Sequence, residues 1–295
     1  MDQLRGELLM LHLTNDELEV DLLDPASPAD QARQGTRFCW GGYVWQVRDR
    51  VEGPLLTGPE WPKPDPDPYH GQGMPESFRH GELSENEELA RSADSGFILG
   101  VGETARGATG RHAFTHPCEW ALTRSAQSLE FCTQQSAAGV AVMLTRAVHL
   151  SDRTVVSASS LTNTGDRPLK LTWFAHPFFA LMDGKLTCDL PAGYGIPENA
   201  GFTIDERGRL SFKRPFVCAG DNAFQLLQVP SGVALRAIVS HPRLMQVKME
   251  IDFTPDRCPV WGNHRTWSIE PYIIAQIDPG EQRRWSLRYE FGALR

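Results

Sequence analysis

The chain has 295 residues, a formal net charge of −8 and an apolar share of 41%. That composition excludes a disordered chain, and the acidic balance argues against nucleic acid or an anionic membrane as the main partner. No stretch approaches the roughly 20 apolar residues of a membrane span, and the six cysteines are scattered without a C-x-x-C pair, so the sequence reads as a cytoplasmic protein with free thiols.

The apolar run at residues 8–13 is interrupted by His12 and is too short for the core of a signal peptide. Residues 58–73 are crowded with Gly, Asp and Pro, including Pro59, Pro62, Pro64, Pro66 and Pro68. The pyrrolidine ring keeps such a segment extended and out of regular ladders. Strands are expected on both sides of it, so the region around 58–80 reads as a long binding loop over one end of a single domain spanning residues 1–295. Residues 82–92 are the best helical candidate in a chain with weak helical periodicity. Gly100, Val101, Gly102 and Glu103 lack the strand–loop–helix context of a phosphate loop. His112 and His116 have metal-ligand spacing only on a helix, and Pro117 argues against one, so no metal and no cofactor are expected.

Further along, residues 140–150 and 154–161 read as strands separated by Ser151, Asp152 and Arg153. Asn163, Thr164, Gly165 and Asp166 then signal a turn, and a third strand follows, which predicts a meander. Near the C-terminus Trp285, Leu287, Tyr289 and Phe291 alternate with Ser286, Arg288 and Glu290, the pattern of a half-buried antiparallel strand. No βαβ alternation is present. The fold class expected is all-β, with sheets of twisted antiparallel strands and few short helices.

Two strands carry residues suited to proton transfer. In residues 169–179, Leu169, Leu171, Trp173 and Ala175 share one face, and Lys170, Thr172, Phe174 and His176 share the other. In residues 265–273, Trp267, Ile269 and Ile273 oppose Thr266, Ser268, Glu270 and Tyr272. His176 and Glu270 thus fall on the polar side of their strands, where a sheet can form a concave site. Pro177 and Pro271 directly follow them. Neither can donate to a ladder, so both mark interruptions that can open a pocket.

Asn163, Thr164, Gly165 and Asp166 followed by His176, Pro177, Phe178 and Phe179 resemble the central signature of the aldose 1-epimerases, the galactose mutarotase-like family. Residues 219–224 resemble that family's Asp-containing segment, and Trp267, Ser268, Ile269, Glu270 and Pro271 resemble the strand that ends in its glutamate. The resemblance runs from about Trp120 to Phe291. It implies a β-supersandwich with a concave sugar site. It also implies that Glu270 acts as base on the anomeric hydroxyl, His176 as acid on the ring oxygen, and Asp221 as a hydrogen-bonding partner of sugar hydroxyls. A family arginine corresponds best to Arg79, and a family histidine to His112 or His116. The family's His-Gly-Gly is absent here, Ala175 stands where the hexose enzymes carry Asn, and the segment around Cys39, Trp40, Gly41 and Gly42 differs from the galactose enzymes.

These features lead to an isomerase that interconverts α and β anomers by general acid/base ring opening and reclosure. The ligand expected is a monosaccharide or sugar derivative, with neither nucleic acid nor membrane as partner, in a monomer or homodimer. An anionic sugar is an alternative, with Arg79, Arg106 and Arg111 as candidate anion contacts. A non-catalytic sugar-binding protein on the same scaffold is another.

Overall fold

Antiparallel ladders account for nearly all regular structure in the computed structural model, which describes residues 10–80, 97–106, 112–137, 139–218 and 220–295. The helical candidate at 82–92 lies outside the described residues. The largest sheet has ten strands among those described. At its centre Thr154–Asn163 pairs with Val140–Ser151 on one side and with Gln282–Phe291 on the other. Gln282–Phe291 pairs in turn with Val247–Ile251, so the last long strand of the chain joins the two halves of the sheet. Its Trp285, Leu287, Tyr289 and Phe291 are buried while Arg288 is exposed, as the alternation predicts. Burial of each such side chain is worth about 1.5–3 kcal/mol.

The expected meander stops after two strands. Leu169–Ala175 does not join the large sheet, because the free edge of Thr154–Asn163 is already occupied by Gln282–Phe291. Asn163 redirects the chain. Its Nδ2 donates to the carbonyls of Arg167 and Ile277, and its Oδ1 accepts from the Gly165 N–H. Leu169–Ala175 instead lies in a three-stranded sheet between Tyr272–Ile277 and Glu76–His80. A four-stranded sheet of Phe179–Ala180, Thr266–Ile269, Pro259–Gly262 and Ala223–Leu226 lies next to it along the chain.

One helix, Pro28–Gln34, is present among the described residues. Ser27 precedes it and Pro28 opens it, an arrangement in which the missing proline N–H would have had no helical partner anyway. With seven residues it is too short to show a helical period.

One extended apolar core runs from Leu11 to Phe291. It encloses a charged cluster. Glu76 Oε1 accepts from Arg146 Nη2 at 2.5 Å and from Ser157 Oγ at 2.6 Å, and Glu76 Oε2 accepts from Trp173 Nε1 at 3.0 Å. The cluster binds the large sheet, through Arg146 and Ser157, to the three-stranded sheet, through Glu76 and Trp173.

Candidate functional site

His176 and Glu270 each sit where the chain passes between the same two small sheets. Leu169–Ala175 belongs to the three-stranded sheet and Phe179–Ala180 to the four-stranded one, with His176 and Pro177 between them. Thr266–Ile269 and Tyr272–Ile277 make the reverse crossing, with Glu270 and Pro271 between them. The ladder that sets Phe174 opposite Tyr272 continues past its last rung through Ala175 N–H donating to Pro271 O at 3.4 Å. Two residues on, the same register sets His176 opposite Glu270. Neither proline supplies a donor, so the ladder ends there and the two side chains face a cavity.

The histidine and the carboxylate are in direct contact, with His176 Nε2 3.2 Å from Glu270 Oε1. This differs from a pair held apart by a sugar's width. Both are also almost wholly buried, His176 at 3% and Glu270 at 4% exposure, as are all four residues of Thr266–Ile269. Alternation predicted a polar, accessible face. The Thr266 hydroxyl is taken up alongside its own strand: Oγ1 donates to Phe179 O on the adjacent strand and accepts from Thr57 Oγ1.

The His176 ring is surrounded by aromatic rings: Phe178 at 4.5 Å, Phe38 at 5.9 Å, Trp261 at 6.2 Å and Phe174 at 6.4 Å between centroids. Its backbone N–H donates to Pro75 O at 2.8 Å, while Nδ1 has no hydrogen-bond partner. Burial drives its pKa well below the ordinary value, and the Arg37 guanidinium adds to that effect. His176 is therefore neutral at physiological pH. A proton on Nε2, donated to Glu270, leaves Nδ1 as a bare acceptor, which agrees with its lack of a partner.

The cavity has a volume of about 330 Å³, within the ~300–1,000 Å³ range of small-molecule sites. His176 and Glu270 form its buried floor, beside Phe178 and Trp261. Pro59, Glu60, Tyr69 and His70 line it from the proline-rich segment, and Phe224, 56% exposed, lies at the rim. Asn222, Asn263 and Arg37 add polar groups. The proline-rich segment is tied down at several points. Arg265 Nη1 donates to the carbonyls of Glu60 and Trp61, Lys63 Nζ pairs with Glu60 Oε2 at 2.6 Å, and His70 Nδ1 meets Glu60 Oε1 at 2.5 Å. Glu60 consequently has its pKa lowered to about 2, chiefly by the Lys63 hydrogen bond and also by His70.

The other residues singled out from sequence lie elsewhere. Arg79 is buried on Glu76–His80 and is not among the cavity-lining residues; its Nη1 donates to Phe78 O and its Nη2 to Arg37 O. It braces the backbone of Arg37, the arginine that does line the cavity. Asp221 forms a two-pronged ion pair with Arg214 at 2.6 and 2.8 Å and accepts from the Val217 N–H. The Arg214 contact lowers its pKa to about 2, and its neighbour Asn222, not Asp221, lines the cavity. His116 is exposed on the strand His112–Pro117, with Nδ1 3.2 Å from Glu103 Oε2, and does not line the cavity. The side chains of His112 and Arg106, and all of Arg111, lie outside the described residues.

Arg37, Glu60 and His70 were not singled out by sequence. Arg37 lies in an irregular segment with no local pattern to mark it. Its Nη1 donates to Tyr69 O at 3.0 Å, its guanidinium packs over the Phe38 and Tyr69 rings, and its Nε is buried without a partner. For Glu60 and His70 the one available signal was their place in the proline-rich loop.

No protein-family model matches the chain, and no curated protein matches it. Solved structures do. A galactose mutarotase-like protein from Lactobacillus casei superposes with a TM-score of 0.60 at 14% identity, over 96% of this chain and 99% of that one. An Escherichia coli K12 protein provisionally named an aldose 1-epimerase gives 0.58 at 14% identity, over 96% and 98%. A galactose mutarotase-like protein from Clostridium acetobutylicum gives 0.52 at 13% identity, over 97% and 99%. The chain has the galactose mutarotase-like sandwich fold. The likeness includes the region before Trp120, where the sequence resemblance was weak.

Proposed function

We propose that this chain, acting as one galactose mutarotase-like domain, interconverts the α and β anomers of a monosaccharide or sugar derivative. The observation that carries the reading is the His176–Glu270 contact at the floor of the cavity. Mutarotation requires loss of the proton on the anomeric hydroxyl and gain of one at the ring oxygen. Glu270 is the base. The neutral His176 donates a hydrogen bond from Nε2 to Glu270 or, with a sugar between them, to the ring oxygen, which takes its proton from solvent water as its bond to C1 breaks; reclosure returns that proton to solvent and the Glu270 proton to the anomeric oxygen. A neutral imidazole polarises an oxygen without needing to become an imidazolium in a dry pocket. Phe178 and Trp261 offer apolar walls to the carbon faces of a sugar ring.

The place of Arg37 on the cavity wall favours a second version of the same reading, in which the sugar carries a phosphate or sulfonate. A single panel separates the two. Exchange between α and β anomers, followed by NMR, is expected to accelerate for at least one of a set of neutral, phosphorylated and sulfonated sugars. Glu270→Gln is expected to lower kcat about 10²–10⁴-fold, the usual size of a general acid/base effect, with the fold intact by circular dichroism. If no sugar in the panel is accelerated but one raises the melting temperature, the protein is a binder and the catalytic reading fails.

A further inference from the structure

The four-stranded sheet arranges its cavity-facing residues in rows. Trp261 lies between Phe224 on one neighbouring strand and Ser268 on the other. The Glu270 N–H donates to Pro259 O at 2.9 Å, which puts Glu270 in the row of Pro259. In the opposite direction, the Asn263 N–H donates to Thr266 O at 3.0 Å, and the register of Ala223 with Gly262, carried one residue on, brings Asn222 beside Asn263. Opposed residues of an antiparallel pair share a face, as do alternate residues of one strand. Glu270, Trp261, Phe224, Asn222 and Asn263 accordingly all line the cavity. At about 3.4 Å per residue, the row of Trp261 lies about 7 Å from that of Glu270, and the row of Asn263 about 14 Å from it. The Trp261 ring is 6.2 Å from that of His176. The site thus has a direction, with the proton-transfer pair at one end, aromatic side chains in the middle and two amides at the other end.

The orientation of the Asn263 amide is fixed. The residue is buried, and its Oδ1 accepts from the N–H groups of Arg265 at 2.8 Å and Thr266 at 3.1 Å. An amide end that faces two N–H groups is the oxygen. The end left over is the NH2, a pair of donors with no partner among the described residues. Asn222 is the reverse: its Nδ2 donates to Gly220 O at 3.3 Å, so Oδ1 is the end left to accept. A donor beside an acceptor is the complement of a hydroxyl, which accepts at its oxygen and donates its single proton. We propose that Asn263, with Asn222 beside it, binds the C4 hydroxyl of a pyranose and selects for it; this rests on the mutarotase reading. With the anomeric carbon at Glu270 and the ring against Trp261, the carbon turned toward the amides is C4, which lies across the ring from C1. The substrate class is then aldopyranoses with a free C4 hydroxyl. Sugars phosphorylated, acylated or glycosidically linked at that oxygen have no proton there for Asn222.

The test is steady-state mutarotation by the full chain on the sugar that the panel identifies and on analogues of it that each lack one hydroxyl, at C2, C3, C4 or C6. Asn263→Ser removes the amide donors and keeps a side-chain oxygen for the two backbone N–H groups. On the parent sugar it is expected to raise KM about tenfold, the worth of one hydrogen bond, with kcat changed less than about threefold. On the 4-deoxy analogue, wild type and variant are expected to have the same KM within about twofold, while the other analogues keep the tenfold difference. Should Asn263→Ser lose its near-ultraviolet circular dichroism, Asn263→Asp takes its place. The carboxylate still accepts from both N–H groups but sets a second acceptor beside Asn222 Oδ1, and one hydroxyl proton cannot serve both. The same pattern of KM is expected. With an active wild type, the proposal is overturned by an unchanged KM on the parent sugar, by a difference that persists on the 4-deoxy analogue, or by a parent sugar without a free C4 hydroxyl; each leaves the mutarotase reading standing. A wild type that accelerates no sugar overturns the reading itself, and this proposal with it.

Discussion

The histidines of this protein show how one residue type acquires different chemistry from its surroundings. His176 is neutral because aromatic rings have displaced water from around it, whereas His70 remains partly solvated beside an anion. His241 is a third case, and its role is structural. It is buried, its Nε2 lies 2.9 Å from Leu55 O, and its Nδ1 accepts from the N–H groups of Arg243 and Leu244. Every polar atom of the neutral ring is thereby satisfied, and a proton on Nδ1 would face two donors. Burial is the main reason its pKa falls to about 4. The unfolded chain, with an ordinary histidine near 6.5, then binds more protons than the native state between those two values. Stability from this residue is complete above about pH 6.5 and is lost as the pH falls toward 4. Urea unfolding from pH 7.5 to 4 is expected to show that decline, with a shallower slope in His241→Gln.

At the scale of elements, the site depends on two strands that change sheets. His176 and Glu270 meet because each precedes a proline at a crossing and because the register of Leu169–Ala175 with Tyr272–Ile277 runs on beyond the ladder. The backbone that receives the His176 N–H is Pro75, adjacent to Glu76. Glu76 in turn fixes its strand to the large sheet through Arg146 and Ser157. Removing one partner of a buried ion pair strands the other and costs roughly 3–5 kcal/mol. Glu76→Gln and Arg146→Met are each expected to lower the unfolding free energy by about that amount in urea titrations. The double variant is expected to recover part of the loss, since no lone charge then remains buried. Both single variants are also expected to weaken sugar binding, because the strand that follows Pro75 loses its anchor.

For the whole molecule, the decisive strand is the last long one. Gln282–Phe291 occupies the middle of the ten-stranded sheet, with Thr154–Asn163 on one side and Val247–Ile251 on the other. Deleting residues 280–295 would expose two inner sheet edges and uncover the pockets of Trp285, Leu287, Tyr289 and Phe291. Such a truncation is expected to lose its near-ultraviolet circular dichroism and to aggregate. No described helix is long and apolar enough to cross a membrane.

Alternation of apolar and polar residues was enough to identify an all-β chain and its long strands, because a two-residue period is a local property of the backbone. The prolines after His176 and Glu270 were also legible, since a residue without an N–H interrupts any ladder it enters. Which strands become neighbours was not legible. The meander broke because a strand more than a hundred residues away took the open edge, and no local pattern encodes that competition. Burial of the apparently polar face of Thr266–Ile269 was hidden for a related reason: the partners of its Thr266 hydroxyl, Thr57 Oγ1 and Phe179 O, are distant in sequence. Arg37, Glu60 and His70 reach the cavity through loops whose paths are set by contacts with Arg79, Tyr69 and Arg265. A period describes how a chain meets its own neighbours; the walls of a cavity are decided by which remote segments pack together.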